Sequence, residues 1–295
     1  MKFYSHGKLL LTGEYTVLQG AQALALPTKQ GQSLTVTASE DNALHWKSYA
    51  SNGSCWFDAV LELDHFSIVQ SSAPEIAMRL SSILKAVRLQ NQNFCRQGTT
   101  VTTQLEFDRQ WGLGSSSTLL ANLSQWAGVD PYQLLKTSLG GSGYDIACAQ
   151  ASQAVLYQWV EGTPIVESTP FDPPFKEELY FVYLNQKQDS QKEVAAYQKK
   201  APDPALIASI SGLTQELVLC ETLTSFMAIL HEHENLMADH LNRVRIQEER
   251  FSDFKGCVKS LGAWGGDFVM ACGGSPAYFK NKGYSVIRNY SAFIL

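Results

Sequence analysis

Three glycine-rich loops, set wide apart along the chain, most constrain what this sequence can fold into. The central loop lies in DRQWGLGSSSTLLANLSQW, residues 108–126, where two glycines and three serines precede an apolar, helix-like run. Glycine lets the backbone adopt positive φ and approach a ligand closely. Several backbone N–H groups then converge on an anion at a helix N-terminus, where the helix dipole also attracts it. The loop is therefore compatible with a phosphate cradle, although by itself it is more typical of a serine-capped helix or a linker.

Two familiar phosphate-binding signatures are missing from the sequence. There is no GxxxxGK[ST] segment, which excludes a Walker-A loop, and Gly112-Leu113-Gly114 is followed by serines instead of completing GxGxxG. A dinucleotide-binding fold is therefore unsupported. The apolar residues Trp111 and Leu113, and the helix that begins directly after them, argue against a flexible linker.

The order of strand-like and helix-like segments favours an α+β fold over a doubly wound parallel sheet. Strands are predicted over 2–12, 32–39, 43–63 (two pieces), 99–107, 153–160, 179–184 and 284–289. Helices are predicted over 74–89, 115–128 and 131–136, from about 145 onward, and across most of 189–250. Prolines and acidic residues cluster at 161–178, which indicates a junction between two domains, 1–168 and 169–295.

Composition and charge narrow the class of protein. The 295 residues are 45% hydrophobic and 17% charged, which suits one large or two medium globular domains. A net charge of −5 argues against a nucleic-acid partner that needs a broad basic face. The N-terminal segment lacks the pattern of a signal peptide, and no run of about 18 apolar residues predicts a membrane span. Six scattered cysteines without a CxxC pair indicate reduced thiols in a cytoplasmic protein.

The ordered set of loops resembles the GHMP kinase superfamily of galactokinase, homoserine kinase and the mevalonate-pathway kinases. Its three segments are GKLLLTGEYTVLQGAQALALP (7–27), the central GLGSSS (112–117) and GAWGGDFVMA (262–271). The resemblance spans essentially the whole chain. It implies a two-domain GHMP kinase fold, with a ribosomal S5 domain 2-like N-terminal domain that binds ATP and a ferredoxin-like C-terminal domain.

The resemblance also implies roles for individual residues. Lys8 would stabilise negative charge on the transferring phosphoryl group, and Asp145 in GSGYDIA would orient the acceptor oxygen or take its proton. Without the resemblance, the sequence favours a solvated lysine on a strand for Lys8 and a helix N-cap for Asp145. The phosphates of ATP would be wrapped by Gly112, Leu113, Gly114, Ser115, Ser116 and Ser117, with the Ser116 hydroxyl on Mg²⁺. The acceptor substrate would lie near Ser142, Tyr144, Gly265 and Gly266.

Three details of the resemblance favour 5-phosphomevalonate as the acceptor for ATP-dependent phosphoryl transfer. No proline precedes the central loop, and both GSGYDIAC and KSLGAWGGDFVMA resemble segments of phosphomevalonate kinases. A phosphomonoester, with a second pKa of about 6, is largely ionised at neutral pH and needs basic contacts more than a strong base. Candidate contacts are Lys187, Lys192 and Lys259. The alternatives are mevalonate kinase, where Asp145 would act as a base on a hydroxyl, the related diphosphomevalonate decarboxylase, and a non-catalytic GHMP-like ligand-binding protein.

The sequence departs from the family pattern at two places. Trp264 stands where the third loop commonly has glycine, and no glutamate lies within 115–144 to serve as a second Mg²⁺ carboxylate. Glu14 and Asp267 are interpreted as turn residues, with a direct ligand role for Glu14 left open. The HEHEN segment (231–235) is interpreted as a solvated helical face, because histidines two residues apart do not share a side of a helix. The oligomeric state stays open, a homodimer included.

Overall fold

The computed structural model describes residues 1–188 and 190–295. The chain divides into two compact units, each assembled from separate stretches of sequence. Unit 1 comprises Met1–Gly7, Gln30–Arg109 and Leu113–Gln150, and unit 2 comprises Lys8–Lys29, Gln110–Gly112 and Ala151–Leu295. The predicted domain boundary at residues 168 and 169 stays a prediction.

Unit 1 is a mixed β-sheet covered by helices. Its strands belong to β1 (Lys2–Leu10), β2 (Ala23–Ala38), β3 (Ala43–Tyr49), β4 (Cys55–Glu62), β5 (Ile68–Ser71) and β6 (Thr99–Leu105). Within this unit the strand order is β5-β4-β3-β6-β2, and β1 pairs with β2. The β3–β6 pair is parallel, whereas β2–β6, β3–β4 and β4–β5 are antiparallel. This mainly antiparallel pairing confirms the α+β class.

The helices of unit 1 begin where the sequence supplies start signals. They are α1 (Pro74–Gln90), α2 (Ser115–Ala127), α3 (Pro131–Ser138) and α4 (Tyr144–Ala149). For α3, Pro131 occupies the first turn and the Asp130 side chain accepts hydrogen bonds from two backbone N–H groups, as predicted. The helices and the inward faces of the strands share one core, which includes Leu34, Trp46, Phe57, Leu84 and Leu123.

Unit 2 combines a β-ladder with an antiparallel sheet. Its later strands are β7 (Val155–Val160), β8 (Thr163–Ser168), β9 (Leu179–Tyr183), β10 (Cys257–Leu261), β11 (Phe268–Cys272) and β12 (Ile287–Asn289). The beginning of β2 pairs with β7, which pairs with β8, and the separate sheet has the order β10-β11-β9-β12. The helices are α5 (Ser190–Tyr197), α6 (Pro204–Val218), α7 (Leu223–Leu241), α8 (Ile246–Arg250), α9 (Pro276–Asn281) and α10 (Tyr290–Phe293).

The segment 161–178, interpreted above only as a junction, contains the strand β8. Glu161 and Gly162 have φ of 49° and 85°, the left-handed pair that turns one strand tightly into the next. Pro164 is tolerated because β8 pairs on one side with β7 and lies at the end of the strand order. The prolines therefore accompany an edge strand here.

The third glycine loop joins β10 to β11, two strands that the sequence analysis does not predict. Every residue of both strands is buried, so neither shows the alternation of apolar and polar residues that marks a half-buried strand. None of the described helices has the length and apolar character needed to cross a membrane.

Candidate functional site

The central glycine–serine loop leads into α2 without a capping side chain. The N-cap is Gly114, whose φ of 84° is left-handed, and no side chain of the described residues caps the helix. The buried Leu113 side chain anchors the loop, whereas Ser116 is exposed. The first N–H groups of an α-helix have no partner within the helix. The first turn of α2 is therefore suited to binding an anion.

Lys8 lies at the first residue of this loop. The lysine is carried by β1, and its Nζ donates a hydrogen bond to the carbonyl oxygen of Gly112 at 3.1 Å. Both residues belong to unit 2. The lysine that the resemblance singles out and the glycine that begins the loop are thus in direct contact.

Asp145 lies beside the last serine of the loop, within unit 1. Its Oδ2 accepts a hydrogen bond from Ser117 Oγ, and its Oδ1 accepts one from the backbone N–H of Ile146 at 3.1 Å. The cap of α4 is Gly143, with φ of 88°, so Asp145 is a first-turn residue and not the N-cap. The carboxylate is held at a fixed place. The pairing of Asp145 with Lys8 stays a prediction, because the two residues belong to different units.

The other predicted substrate neighbours divide between the same two units. Ser142 and Tyr144 are half-buried and flank the cap of α4 in unit 1. Gly265 and Gly266 lie in the third loop in unit 2, where Gly265 has φ of 71°. The Gln188 side chain lies directly against Gly266, since a Cβ added there would be 1.6 Å from Gln188 Cγ. Their contacts with substrate stay predictions.

Trp264 has a packing role in the third loop. Its ring is buried in a cluster with Tyr15 and Tyr197. Its backbone N–H donates to Tyr15 Oη at 2.8 Å, and its indole Nε1 donates to the Val244 carbonyl at 3.1 Å. The tryptophan ring therefore packs the third loop against Tyr15 in the turn that follows β1.

A buried ionic cluster, formed by Glu14, His233, Glu234 and Lys259, lies in unit 2. Lys259 Nζ hydrogen-bonds Glu14 Oε1 and lies 3.5 Å from Glu234 Oε1. His233 Nε2 accepts the Gly13 N–H at 3.1 Å, and all four charged or imidazole side chains are buried. The cluster joins the turn after β1, α7 and β10. Two interpretations of the sequence are therefore wrong: Lys259 is not available to an acceptor phosphate, and HEHEN is not a fully solvated face.

Burial controls protonation within this ionic cluster. It raises the pKa of Glu234 to about 7, opposed by the positive charge of Lys259. It also raises the pKa of Glu14, again against Lys259, and it lowers the pKa of His233 well below its ordinary value. His233 is therefore neutral at pH 7, and Glu234 exchanges a proton in the neutral range.

Sequence reasoning missed this cluster because its members come from three distant segments. One usable signal was present: Lys259 is the one charged residue of the segment CVKSL, which forms the buried strand β10. A lysine in such a run is rarely fully buried without a charged partner. That rule predicts a partner but not which carboxylate supplies it.

Solved structures share the architecture of the whole chain. A Streptococcus pneumoniae phosphomevalonate kinase, in complex with phosphomevalonate and AMPPNP, superposes with a TM-score of 0.71 at 16% identity, covering 98% of this chain and 99% of that one. The Methanococcus jannaschii mevalonate kinase has a TM-score of 0.69 at 16% identity, with 98% and 97% coverage. The Lactococcus lactis galactokinase, complexed with galactose, has a TM-score of 0.65 at 13% identity, with 98% and 92% coverage.

The chain has the fold of the GHMP kinases. No protein-family model and no curated protein matches the sequence. At such low identities the likeness extends to the GHMP kinase fold and not to a particular substrate.

Proposed function

We propose that this chain is an ATP-dependent small-molecule kinase. The observation that carries the proposal is the pair of contacts made by one glycine–serine loop. At Gly112 the loop meets the Lys8 ammonium, and at Ser117 it meets the Asp145 carboxylate. A chain with the GHMP kinase fold thus keeps a cation and a fixed carboxylate on the loop that would hold the phosphates.

The loop has the donors that a polyphosphate needs. In this proposal the N–H groups of 114–117 and the Ser115 hydroxyl bind phosphate oxygens at the uncapped start of α2. The exposed Ser116 hydroxyl is a neutral oxygen ligand, and Mg²⁺ usually takes few protein oxygens alongside phosphate and water. The loop therefore fits Mg²⁺, with Ser116 as its protein ligand. When bound, the ion would neutralise charge on the phosphates.

Lys8 and Asp145 would perform the remaining chemistry. The ammonium of Lys8 stabilises negative charge that develops on the transferring group. Asp145 orients the attacking oxygen of the acceptor, or accepts its proton when the acceptor is an alcohol. The hydrogen bond from Ser117 holds that carboxylate in place.

We take 5-phosphomevalonate as the first choice of acceptor. The sequence segments GSGYDIAC and KSLGAWGGDFVMA support it, as does the likeness in fold to an enzyme solved with phosphomevalonate. Its phosphate needs cationic contacts, and Lys187 and Lys192 are exposed side chains that remain candidates for them. Mevalonate is the second candidate, since a mevalonate kinase superposes nearly as well.

An ADP-release assay with Mg·ATP tests the proposal. The acceptor panel is phosphomevalonate, mevalonate, homoserine and galactose, each with wild-type protein and with Lys8→Met. We expect ADP release with phosphomevalonate and at least about a hundredfold lower turnover in Lys8→Met, since a preorganised charge of this kind contributes on that scale. Release of ADP with mevalonate and with no other acceptor would show that mevalonate, and not 5-phosphomevalonate, is the acceptor. No release with any acceptor, together with no AMPPNP binding by calorimetry, would contradict the kinase assignment.

A further inference from the structure

Gly112 is contacted by two groups of opposite charge. Lys8 Nζ donates to its carbonyl oxygen at 3.1 Å. The carboxylate of Asp267 is packed against the Cα of the same glycine, because a Cβ added to Gly112 would be 2.1 Å from Asp267 Oδ2. All three residues belong to unit 2. The first residue of the glycine–serine loop therefore binds the Lys8 ammonium through its carbonyl oxygen and has the Asp267 carboxylate packed against its Cα.

The backbone holds Asp267 in a conformation that aspartate seldom adopts. Its φ is 36°, in the left-handed region. Its N–H donates to the Gln186 carbonyl at 3.0 Å, and its own carbonyl accepts the Leu184 N–H at 2.8 Å. Strained backbone of this kind persists only where the surroundings fix it, and it concentrates at functional sites. The backbone hydrogen bonds around Asp267 therefore fix where its carboxylate lies.

Asp267 is 9% exposed, and positive charges lie near its carboxylate. Burial raises its pKa, while the Gln188 N–H, which donates to Oδ1 at 3.2 Å, and then the charges of Lys8 and Lys187 act to lower it. A buried carboxylate is costly unless it is paired or hydrogen-bonded. Lys8 and Asp267 thus stabilise each other's charged forms beside Gly112.

We propose that Asp267 is a positioning residue for Lys8, holding the ammonium at the start of the glycine–serine loop. The effect of Asp267 on turnover rests on the proposed kinase function, because the position of the Lys8 ammonium affects turnover only if the chain transfers phosphoryl groups. The electrostatic interaction between Asp267 and Lys8 does not depend on that function. Gly112 leaves room for the Asp267 carboxylate, since a Cβ at this position would displace it.

Competitive acetylation tests the interaction between Asp267 and Lys8 without measuring enzymatic activity. Wild-type protein, Asp267→Asn and the control Asp253→Asn are treated with limiting acetic anhydride, and the labelling rate of each lysine is read by mass spectrometry. Asp253 is an exposed carboxylate paired with Lys282 and has no contact with Lys8 in the described structure. We expect labelling of Lys8 to rise about threefold to tenfold in Asp267→Asn, because an amine that loses a nearby carboxylate is more often unprotonated. Lys29 and Lys176 should keep their wild-type rates.

An unchanged Lys8 rate in Asp267→Asn would overturn the proposal, and so would an equal rise at every lysine, which reports general loosening. If Asp267→Asn does not fold, Asp267→Gly removes the same carboxylate, tolerates the φ of 36° and should raise Lys8 labelling alike. Unchanged Lys8 labelling in that variant would again be contrary.

Steady-state kinetics then test whether the interaction between Asp267 and Lys8 affects turnover. Asp267→Asn should lower kcat at least about tenfold, leave the acceptor KM within about threefold, and be partly rescued by Asp267→Glu. Asp253→Asn should match wild type. If wild type transfers no phosphoryl group, the kinase function fails while the labelling result still decides the role of Asp267. If wild type is active and Asp267→Asn keeps full kcat, the positioning role is wrong.

Discussion

Asp145 keeps its carboxylate in place through hydrogen bonds from Ser117 and Ile146. Asp145→Asn preserves the shape of this side chain but removes its charge. Because general base catalysis or orientation by a carboxylate contributes about 10²–10⁴-fold, we expect kcat to fall by about a hundredfold or more. The Kd of Mg·AMPPNP, measured by calorimetry, should stay within about threefold. Unchanged turnover would remove Asp145 from the chemistry.

Asp130→Asn is the matched control for this substitution. Asp130 also lies at a helix start, where its side chain caps α3. Asparagine caps a helix about as well as aspartate, so neither stability nor turnover should change.

Glu234 predicts how stability depends on pH. Its folded-state pKa of about 7 exceeds that of an exposed glutamate, so the folded protein binds the proton more tightly than the unfolded chain. The stability that this proton confers is complete at low pH and is lost as pH rises through about 7. Glu234→Gln mimics the protonated form. Its Tm relative to wild type should therefore rise between pH 5.5 and pH 8, and a pH-independent difference would contradict the raised pKa.

At the scale of the element, the role proposed for the start of α2 predicts how nucleotide binding responds to metal. Ser116→Ala removes the hydroxyl assigned to Mg²⁺ but leaves the backbone N–H groups of the first turn. We expect about tenfold weaker AMPPNP binding in the presence of Mg²⁺ and little change in EDTA, since removing a hydrogen-bonding or ligating group typically costs about 1–2 kcal/mol. Ser168→Ala, at an exposed position on β8, is the control. Equal weakening with and without Mg²⁺ would exclude Ser116 as its ligand.

The ionic cluster predicts that α7, β10 and the turn after β1 are stabilised together. Lys259→Met leaves two buried carboxyl groups without their cation, which should lower the free energy of unfolding by about 3–5 kcal/mol in denaturant titrations. Adding Glu14→Gln should recover part of the loss. Lys176→Met, which breaks an exposed ion pair, should cost at most about 1 kcal/mol. A loss no larger than that of Lys176→Met would contradict the cluster's role.

Elements with explicit local signals are predictable from this sequence, and fully buried strands are not. The starts of α1 and α3 agree with Pro74 and with Asp130-Pro131, and α2 begins at Ser115 as expected. In contrast, β10 and β11 lack alternation because both faces are buried. The strand β8 was not predicted because its segment contains prolines, which an edge strand tolerates.

At the scale of the whole molecule, the motifs of the candidate site were predictable but several of their partners were not. GLGSSS, Lys8 and Asp145 are visible in short segments, and the structure adds the contacts Lys8–Gly112 and Ser117–Asp145. The meeting of Asp267 with Gly112 joins residues far apart in sequence, and no local pattern encodes it. The partners of Lys259 likewise depend on how α7 and β10 pack.

³¹P NMR of a mixture of the chain, Mg·ATP and 5-phosphomevalonate tests the central claim most directly. If the glycine–serine loop holds ATP for transfer to a phosphate acceptor, the γ-phosphate and monoester signals should decrease together. ADP signals and two coupled resonances of a new diphosphate ester should replace them, and Asp145→Asn should suppress the change. An unchanged spectrum, or ATP converted only to ADP and inorganic phosphate, would contradict phosphoryl transfer to this acceptor.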